Sequence, residues 1–266
     1  MNGKSLFNPL DYSKSLLQEP QRLSDVTSWH EHIPFAFVLT EMLKPRVFVE
    51  LGTHKGDSYL AFCQAIDTLG LVAGCYAVDT WQGEEHAGFY DESVYEELKA
   101  YHNPRYGRFS ELVKCTFDEA LARFSGESID LLHIDGLHTY EAVKHDFETW
   151  LPKMSGSGVV LFHDTAVRER AFGVWRLWEE ISEKYPSFEF KHGHGLGVAA
   201  VGSTVPEPLS GLFSADARDA ANICRFFHLM GERIAKGRQV QALLESPSWR
   251  VTAPLRKMRR IWKKIC

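Results

Sequence analysis

Short apolar runs alternate with amphipathic segments along most of the chain. Uninterrupted apolar runs of this length are typical of strands that are buried on both faces. Five such strands are predicted at 47–51, 74–79, 112–117, 129–135 and 158–164. Apolar residues spaced three and four apart predict helices at 34–43, 58–69, 93–101, 118–124, 140–151 and 172–185. Two further strands, at 188–192 and 197–202, are separated by a glycine-rich turn.

This alternation predicts an α/β fold with a doubly wound, seven-stranded and mostly parallel sheet of the Rossmann-like type. The last two strands are joined too tightly for a crossover, so the last strand is expected to run antiparallel at one edge. We divide the chain into an N-terminal extension (1–30), the α/β domain (31–202) and a helical C-terminal extension (203–266). The last part contains one long predicted helix at 215–244 and ends in a basic tail.

The composition is that of a globular protein. Of 266 residues, 44% are hydrophobic and 24% charged, which is ample for one sizeable core. No apolar run approaches the ~18–20 residues that a bilayer span needs, and the first residues lack the hydrophobic segment of a secretory signal. The five cysteines are scattered without a Cys-x-x-Cys pair. A reducing, cytoplasmic location is therefore expected.

Charge is unevenly distributed. Residues 247–266 carry seven basic and no acidic side chains, while the whole chain has a net charge of −5, leaving −12 for the rest. The acidic body argues against nucleic-acid binding. Apolar residues recur between the basic ones at Leu255, Met258, Ile261, Trp262 and Ile265. This pattern predicts peripheral contact of 247–266 with an anionic membrane surface; a solvated helix, or one that packs in a homo-oligomer, is the alternative.

The first predicted strand leads into the motif Glu50-x-Gly52-x-x-x-Gly56-x-Ser58. Glycine lets a ligand approach the backbone, and the following helix offers free N–H groups. The spacing is neither the dinucleotide fingerprint nor a phosphate-binding loop. Asp79 ends the second strand, where a carboxylate can bind ribose hydroxyls. An acidic Glu50 suits a cationic ligand, which favours a sulfonium cofactor over NAD; a tight turn with a surface Glu and Asp is the alternative.

Ionisable residues also follow the fourth and fifth strands. Asp135, His138, His163 and Asp164 are expected at the same edge of the sheet. Carboxylates are preferred ligands of hard cations, and a histidine with an ordinary pKa near ~6.5 is suited to accept a proton. Asp164 as a turn former is the alternative for that residue. A metal-dependent oxygenase is disfavoured, because no persuasive two-histidine, one-carboxylate set is present.

Together with the Glu-x-Gly turn and Asp79, the segments Asp135-Gly136-Leu137-His138-x-Tyr140 and His163-Asp164-Thr165 resemble a known family. They are similar to class I S-adenosylmethionine-dependent methyltransferases, in the branch of macrocin-type sugar O-methyltransferases and the cephalosporin hydroxylase-like family. The resemblance covers roughly 30–202 and implies S-adenosylmethionine as cofactor, with Trp81 and Phe117 against its adenosine. The predicted cofactor-binding residues are therefore Glu50, Gly52, Ser58, Asp79, Trp81, Phe117 and Asp135.

The resemblance further implies that Asp135, His163 and Asp164 hold Mg²⁺ or another divalent cation, and that His138 is the general base. His163 stands where an acidic residue is usual, which shifts the expected preference toward softer metals. The implied reaction is O-methylation of a sugar hydroxyl on a bacterial glycan or glycolipid precursor. Residues 246–256 resemble a tail found on bacterial polysaccharide glycosyltransferases, which suggests a cytoplasmic, membrane-associated enzyme. The alternatives are a methyltransferase for small secondary metabolites and a non-catalytic, cofactor-binding companion of a glycan-assembly complex.

Overall fold

Seven strands form the central sheet of the computed structural model, which describes residues 7–84, 86 and 88–256. A separate antiparallel pair of short strands follows the second strand of that sheet. In chain order the strands are β1 (Val47–Leu51), β2 (Gly74–Asp79), β3 (Gly83–Glu84), β4 (Gly88–Phe89), β5 (Ser110–Lys114), β6 (Ile129–Ile134), β7 (Met154–His163), β8 (Ser187–Phe190) and β9 (Leu196–Ala200).

The sheet has the strand order β5-β2-β1-β6-β7-β9-β8. The pairs from β5 to β7 are parallel, and β9 runs antiparallel to both β7 and β8. This confirms the predicted doubly wound sheet with its antiparallel last strand. The order reverses between β1 and β6, so the carboxyl ends of these two strands border the crevice where open α/β sheets bind ligands.

Helices cover both faces of the sheet. They are α1 (Ser13–Leu16), α2 (Ile33–Leu43), α3 (Asp57–Thr68), α4 (Glu92–Tyr106), α5 (Phe117–Ala120), α6 (Tyr140–Trp150), α7 (Val174–Lys184), α8 (Ser210–Phe213), α9 (Ala217–Glu245) and α10 (Pro247–Val251). Short 3-10 turns occupy Pro9–Tyr12, His30–His32, Leu121–Arg123, Leu151–Lys153 and Glu207–Leu209. No helix in the described part of the chain is both long and apolar enough to span a membrane.

Successive residues of the central strands belong to two separate cores, as expected for a strand buried on both faces. Phe48 and Leu161 point into the core formed with α2, α3 and α9. Val49 and Phe162 point into the core formed with α6 and α7. The sheet is therefore the middle of three layers, and its strand ends are held rigidly from both sides.

The long helix α9 packs against the segment that precedes α2. At Gly231 a Cβ atom would stand 2.2 Å from the backbone oxygen of Glu31, so only glycine permits this crossing. Phe227 of α9 is fully buried with Phe35 and Phe190. The boundaries of the predicted N- and C-terminal extensions stay predictions. The predicted basic helix falls largely on 257–266, outside the described residues.

One predicted strand is misplaced. The run at 112–117 was expected to be a strand, but β5 ends at Lys114 and Phe117 begins α5. Thr116 is the N-cap of α5: its Oγ1 accepts the Glu119 N–H, while the Glu119 carboxylate accepts the Thr116 N–H. This capping box starts a helix inside the apolar run, and it places Phe117 at the mouth of the crevice.

Candidate active site

A cavity of about 530 Å³ lies at the carboxyl ends of the parallel strands, within the range typical of ligand sites. Gly52, Asp79, Phe117, Asp135 and His138 all line it. A second cavity of about 660 Å³ lies at the opposite, amino ends of β2 and β5, away from these residues. The cavity at the carboxyl ends is therefore the candidate active site.

Gly52 lets the turn after β1 approach the chain that follows β6. Its φ angle is +85°, and a Cβ atom there would stand 2.1 Å from the backbone oxygen of Asp135. Asp79 then fixes the loop beyond the turn, because its Oδ2 accepts the N–H groups of Thr53 (2.8 Å) and His54 (2.9 Å). Its Oδ1 accepts the N–H of Trp81 at 2.7 Å. Since a carboxylate offers about four acceptor positions, one remains for a ligand hydroxyl.

Glu50 does not occupy the turn, contrary to the expectation of an acidic group facing the ligand. It lies inside β1, fully buried, with Oε2 2.8 Å from Nδ1 of His133, its partner in register on β6. Trp29 donates its indole N–H to Nε2 of the same imidazole at 3.3 Å, so the Nδ1–H of His133 donates to Glu50. Burial raises the pKa of the Glu50 carboxyl, and the contact with His133 opposes that shift.

Two other predicted cofactor residues lie behind the cavity. Trp81 is 1% exposed, and its indole N–H donates to the backbone oxygen of His54 at 3.0 Å. Ser58 is buried in the first turn of α3. Glu50, Ser58 and Trp81 are not among the described residues that line the cavity. Their direct contact with a cofactor stays a prediction; in the structure Trp81 supports the loop at His54, and Glu50 links β1 to β6.

The carboxyl ends of β6 and β7 bring together the predicted acidic and histidine residues. His138 Nε2 lies 2.9 Å from Asp164 Oδ2 and 3.5 Å from Asp135 Oδ1. His163 Nδ1 lies 3.2 Å from Asp135 Oδ1 and 3.5 Å from Asp164 Oδ2. His194 approaches Asp164 Oδ1 from the turn between β8 and β9, at 3.3 Å. Two carboxylates are thus enclosed by three imidazoles.

These contacts shift the protonation equilibria of the cluster. Burial works against a charge on His138, but hydrogen bonds with Asp135 and Asp164 raise its pKa to about 9. Burial likewise opposes ionisation of Asp164, yet the neighbouring His163 and His138 hold the pKa of that carboxyl well below its usual range. Burial also opposes ionisation of Asp135, but the neighbouring His163 and His138 outweigh it and lower the pKa of that carboxyl. The carboxylates are therefore ionised at neutral pH.

His163 does not fit the expected role of metal ligand. Its Nε2 is hydrogen-bonded to the backbone oxygen of Gly193 at 3.2 Å, and its Nδ1 to Asp135 Oδ1 at 3.2 Å. A carbonyl and an ionised carboxylate can only accept, so both ring nitrogens carry hydrogen. A ring in that state has no lone pair for a metal. The acidic residue that the resemblance expects at this position would instead offer carboxylate oxygens, which can bind a metal.

A different trio meets the spacing of a cation site. Ligand atoms of Asp135, His138 and Asp164 lie within 4.8 Å of one another, as do those of Glu84, His86 and His138. Both trios require His138, the residue predicted as general base. A metal held there would take a lone pair of His138 and so compete with its predicted role as general base.

Several cavity residues were not predicted from the sequence. Phe172 stacks on His138 with ring centroids 4.5 Å apart and an interplanar angle of 13°. His86 also stacks on Phe172, with ring centroids 4.6 Å apart. Arg170 donates to the His86 backbone oxygen at 2.5 Å. Glu84 Oε1 lies 4.0 Å from His138 Nδ1. The aromatic and charged composition of 81–110 was the available signal, but nothing in it indicated contact with the loop at 165–173.

Comparison with known proteins agrees with this geometry. Residues 49–165 match the family model described as a methyltransferase domain. A Sinorhizobium fredii protein named uncharacterized protein y4gI is 50% identical over 196 residues, which cover 74% of this chain and 22% of that protein. This chain therefore spans about a fifth of the relative's length. The crystal structure of a Staphylococcus aureus protein described as a caffeoyl-CoA O-methyltransferase has a TM-score of 0.51 at 15% identity, covering 67% of this chain and 85% of the other.

Residues 49–165 are similar to a methyltransferase domain and have the Rossmann-like methyltransferase fold.

The matched stretch includes the Gly52 turn, Asp79 and the carboxyl ends of β6 and β7, where the carboxylates and imidazoles meet. The expectation of a methyltransferase is confirmed at this level. Arg170, Phe172 and His194 also line the cavity but lie beyond the match. The cavity is thus lined both by the matched stretch and by segments that follow it.

Proposed function

We propose that the chain is an S-adenosylmethionine-dependent O-methyltransferase that acts on a sugar hydroxyl of a bacterial glycan or glycolipid precursor. The observation that carries the proposal is the position of His138. Its ring stands in the cavity between the cofactor turn and the acceptor walls, with one nitrogen held by carboxylates and the other facing Glu84. That arrangement is suited to removing the proton of a hydroxyl group.

The cofactor side of the cavity fits S-adenosylmethionine. Oγ1 of Thr53 is buried and has no hydrogen-bond partner among the described residues, so a ligand group is available to it. Asp79 retains one acceptor position for a ribose hydroxyl. Phe117 lines the cavity beside Gly136, where a Cβ atom would stand 2.5 Å from the Phe117 ring. The Phe117 ring offers an aromatic face on which a flat adenine can stack.

The acceptor side is polar with a single flat apolar surface. Glu84, His86, Arg170 and His194 offer hydrogen-bonding groups, and Phe172 offers an aromatic face. A neutral acceptor rich in hydroxyl groups satisfies such a lining, because each buried polar group needs a partner. A large apolar acceptor would displace water from these groups without offering them hydrogen bonds. This supports a sugar over an apolar metabolite.

His138 is the group that moves the proton. When bound, S-adenosylmethionine supplies a sulfonium methyl group, which passes to the acceptor oxygen while the C–S electron pair stays on sulfur. Neutral His138 accepts the hydroxyl proton at Nδ1, and Asp164 and Asp135 stabilise the resulting imidazolium through Nε2. Phe172 holds the imidazole plane by stacking. The residues of the turn and the walls keep oxygen, carbon and sulfur in line.

The test begins with calorimetric titration of the protein with S-adenosylhomocysteine. Radiolabelled methyl transfer to a panel of nucleotide sugars, oligosaccharides and glycolipids follows, with the product analysed for its methyl ether. Transfer to a sugar hydroxyl is the expected result. Binding without transfer to any hydroxyl acceptor would favour the non-catalytic companion, and transfer only to phenolic or other small metabolites would replace the sugar assignment.

We further propose that residues 247–266 bring the enzyme to an anionic membrane surface, where lipid-linked glycans are built. The support is the run of seven basic residues without an acidic one. In the described part of this segment Leu255 and Val251 are exposed, at 61% and 78%. Self-association through the same segment is the alternative outcome of a vesicle-binding test.

A further inference from the structure

His163 occupies the space between the two carboxylates of the cluster. Its side chain is 2% exposed, and its Nδ1 lies 3.2 Å from Asp135 Oδ1 and 3.5 Å from Asp164 Oδ2. In the opposite direction its Nε2 donates to the Gly193 backbone oxygen. His32 donates to the same oxygen at 2.9 Å, which uses both lone pairs of that carbonyl. The imidazole is therefore fixed in one orientation by acceptors on both sides.

Every group that His163 contacts through nitrogen is an acceptor. A neutral imidazole would direct a lone pair at either the carbonyl or a carboxylate, and both alternatives are repulsive. Only the doubly protonated ring satisfies the geometry. One positive charge thus lies between two buried carboxylates, which is where a divalent cation would otherwise compensate them.

The cluster is already neutral without a metal. Buried carboxylates are costly unless a positive charge or hydrogen-bond donors compensate them. Here the charges of Asp135 and Asp164 are met by His163 and by His138, whose Nε2 lies 2.9 Å from Asp164 Oδ2. Adding a divalent cation would leave an excess of positive charge in a buried site unless both imidazoles lost a proton.

We propose that His163 replaces a resident divalent cation in this site, acting as a positioning residue that fixes Asp135 and Asp164 around His138. Methyl transfer by this chain then requires no metal ion. The inference concerns the cluster itself, and its test by metal binding does not depend on the proposed acceptor or on activity.

The first experiment measures Mn²⁺ binding by electron paramagnetic resonance, with and without S-adenosylhomocysteine. The wild-type protein is expected to show no saturable site in either condition. His163→Glu restores an oxygen ligand between Asp135 and Asp164 and is expected to gain one site per chain, bound about tenfold or more tightly than any residual wild-type binding. The double variant Asp135→Asn/His163→Glu should lose that site again.

His194→Glu is the matched control. His194 is exposed, and its Nδ1 lies 3.3 Å from Asp164 Oδ1. The variant therefore adds a carboxylate beside Asp164 while His163 stays in place, and it should bind no Mn²⁺. One wild-type Mn²⁺ site per chain that Asp135→Asn abolishes would overturn the proposal. So would a saturable site in His194→Glu equal to that of His163→Glu, because the position of His163 would then be irrelevant.

A second measurement needs no folded variant at the site. Long-range ¹H–¹⁵N spectra of the wild-type protein labelled in histidine report whether each ring nitrogen carries hydrogen. A ring with both nitrogens protonated at neutral pH, unchanged by excess Mg²⁺, is the expected result for the buried His163. A ring that has one unprotonated nitrogen, or that loses a proton when Mg²⁺ is added, would overturn the inference. Absence of S-adenosylhomocysteine binding would refute the proposed function and leave this result standing.

Discussion

His138 Nε2 lies 2.9 Å from Asp164 Oδ2, and this pair determines which imidazole nitrogen serves the acceptor. Nε2 is held by the carboxylates, whereas Nδ1 has no hydrogen-bond partner among the described residues, with Glu84 Oε1 4.0 Å away. Asp164 reaches this position with a φ angle of +62°, unusual for a residue other than glycine. Strain of this kind persists where the surroundings hold it, and it is concentrated at functional sites.

Replacing His138 by Asn should remove the proton acceptor. We expect kcat for methyl transfer to fall by about 10²–10⁴, while affinity for S-adenosylhomocysteine, measured calorimetrically, stays within about twofold. His145→Asn is the control, because His145 is an exposed histidine of α6 that pairs with Asp118 outside the cavity. Equal losses in both variants, or an unchanged kcat in His138→Asn, would remove His138 from the mechanism.

The pH dependence should report the same pair. Because Asp135 and Asp164 raise the pKa of His138 to about 9, the ring is protonated at neutral pH and cannot accept a proton there. We expect kcat/KM to rise with pH through a midpoint near pH 9 and to level off about one unit above it. Asp164→Asn should lower the maximum rate and move the midpoint downward, toward ~6.5. A flat profile between pH 6 and 9 would contradict this assignment.

Asp146 is a buried carboxyl of α6 that should reduce stability at high pH. Burial raises its pKa to about 7, so from about pH 4 upward the unfolded chain releases a proton that the folded chain retains. Stability is therefore lost between about pH 4 and pH 7, by up to about 4 kcal/mol. Asp146→Asn should raise Tm at pH 8 and change it little near pH 4.5 in calorimetric scans. An equal shift at both values would mean that packing, not ionisation, is responsible.

Gly52 should tolerate no side chain. In Gly52→Ala the Cβ atom would stand 2.1 Å from the Asp135 backbone oxygen at a φ angle of +85°. Gly70→Ala provides the comparison, because its φ angle is +64° but nothing lies within 4 Å of its Cβ position. Gly70→Ala should cost about 1–3 kcal/mol in chemical denaturation, and Gly52→Ala more, with weakened S-adenosylhomocysteine binding. Similar losses in both would show that only the backbone conformation matters.

The sequence predicted the sheet and most of the site, because strand ends can be read from apolar runs that stop at ionisable residues. It placed Gly52, Asp79, Asp135, His138 and Asp164 at one edge, where the structure has them. Such reasoning depends only on local pattern and on the rule that parallel strands share a carboxyl edge.

What it missed depends on register and on distant loops. The pairing of Glu50 with His133 follows from two strands being adjacent in one register, which an apolar run does not reveal. The contact of His163 with Gly193 comes from the turn between β8 and β9. Phe172 reaches His138 from a loop whose Arg170 and Ala171 both have positive φ angles. None of these relationships leaves a periodic signal in the chain.

The tail offers a test that is independent of the site. If residues 247–266 contact an anionic surface, each basic residue near it contributes roughly 1 kcal/mol. Replacing Lys257, Arg259, Arg260 and Lys263 by Gln should therefore weaken binding to phosphatidylglycerol vesicles by at least about a hundredfold. Neutral vesicles and 0.5 M salt serve as controls, since screening removes the attraction between exposed charges. Binding that persists in salt, or dimerisation without vesicle binding in analytical ultracentrifugation, would assign the tail to protein contact instead.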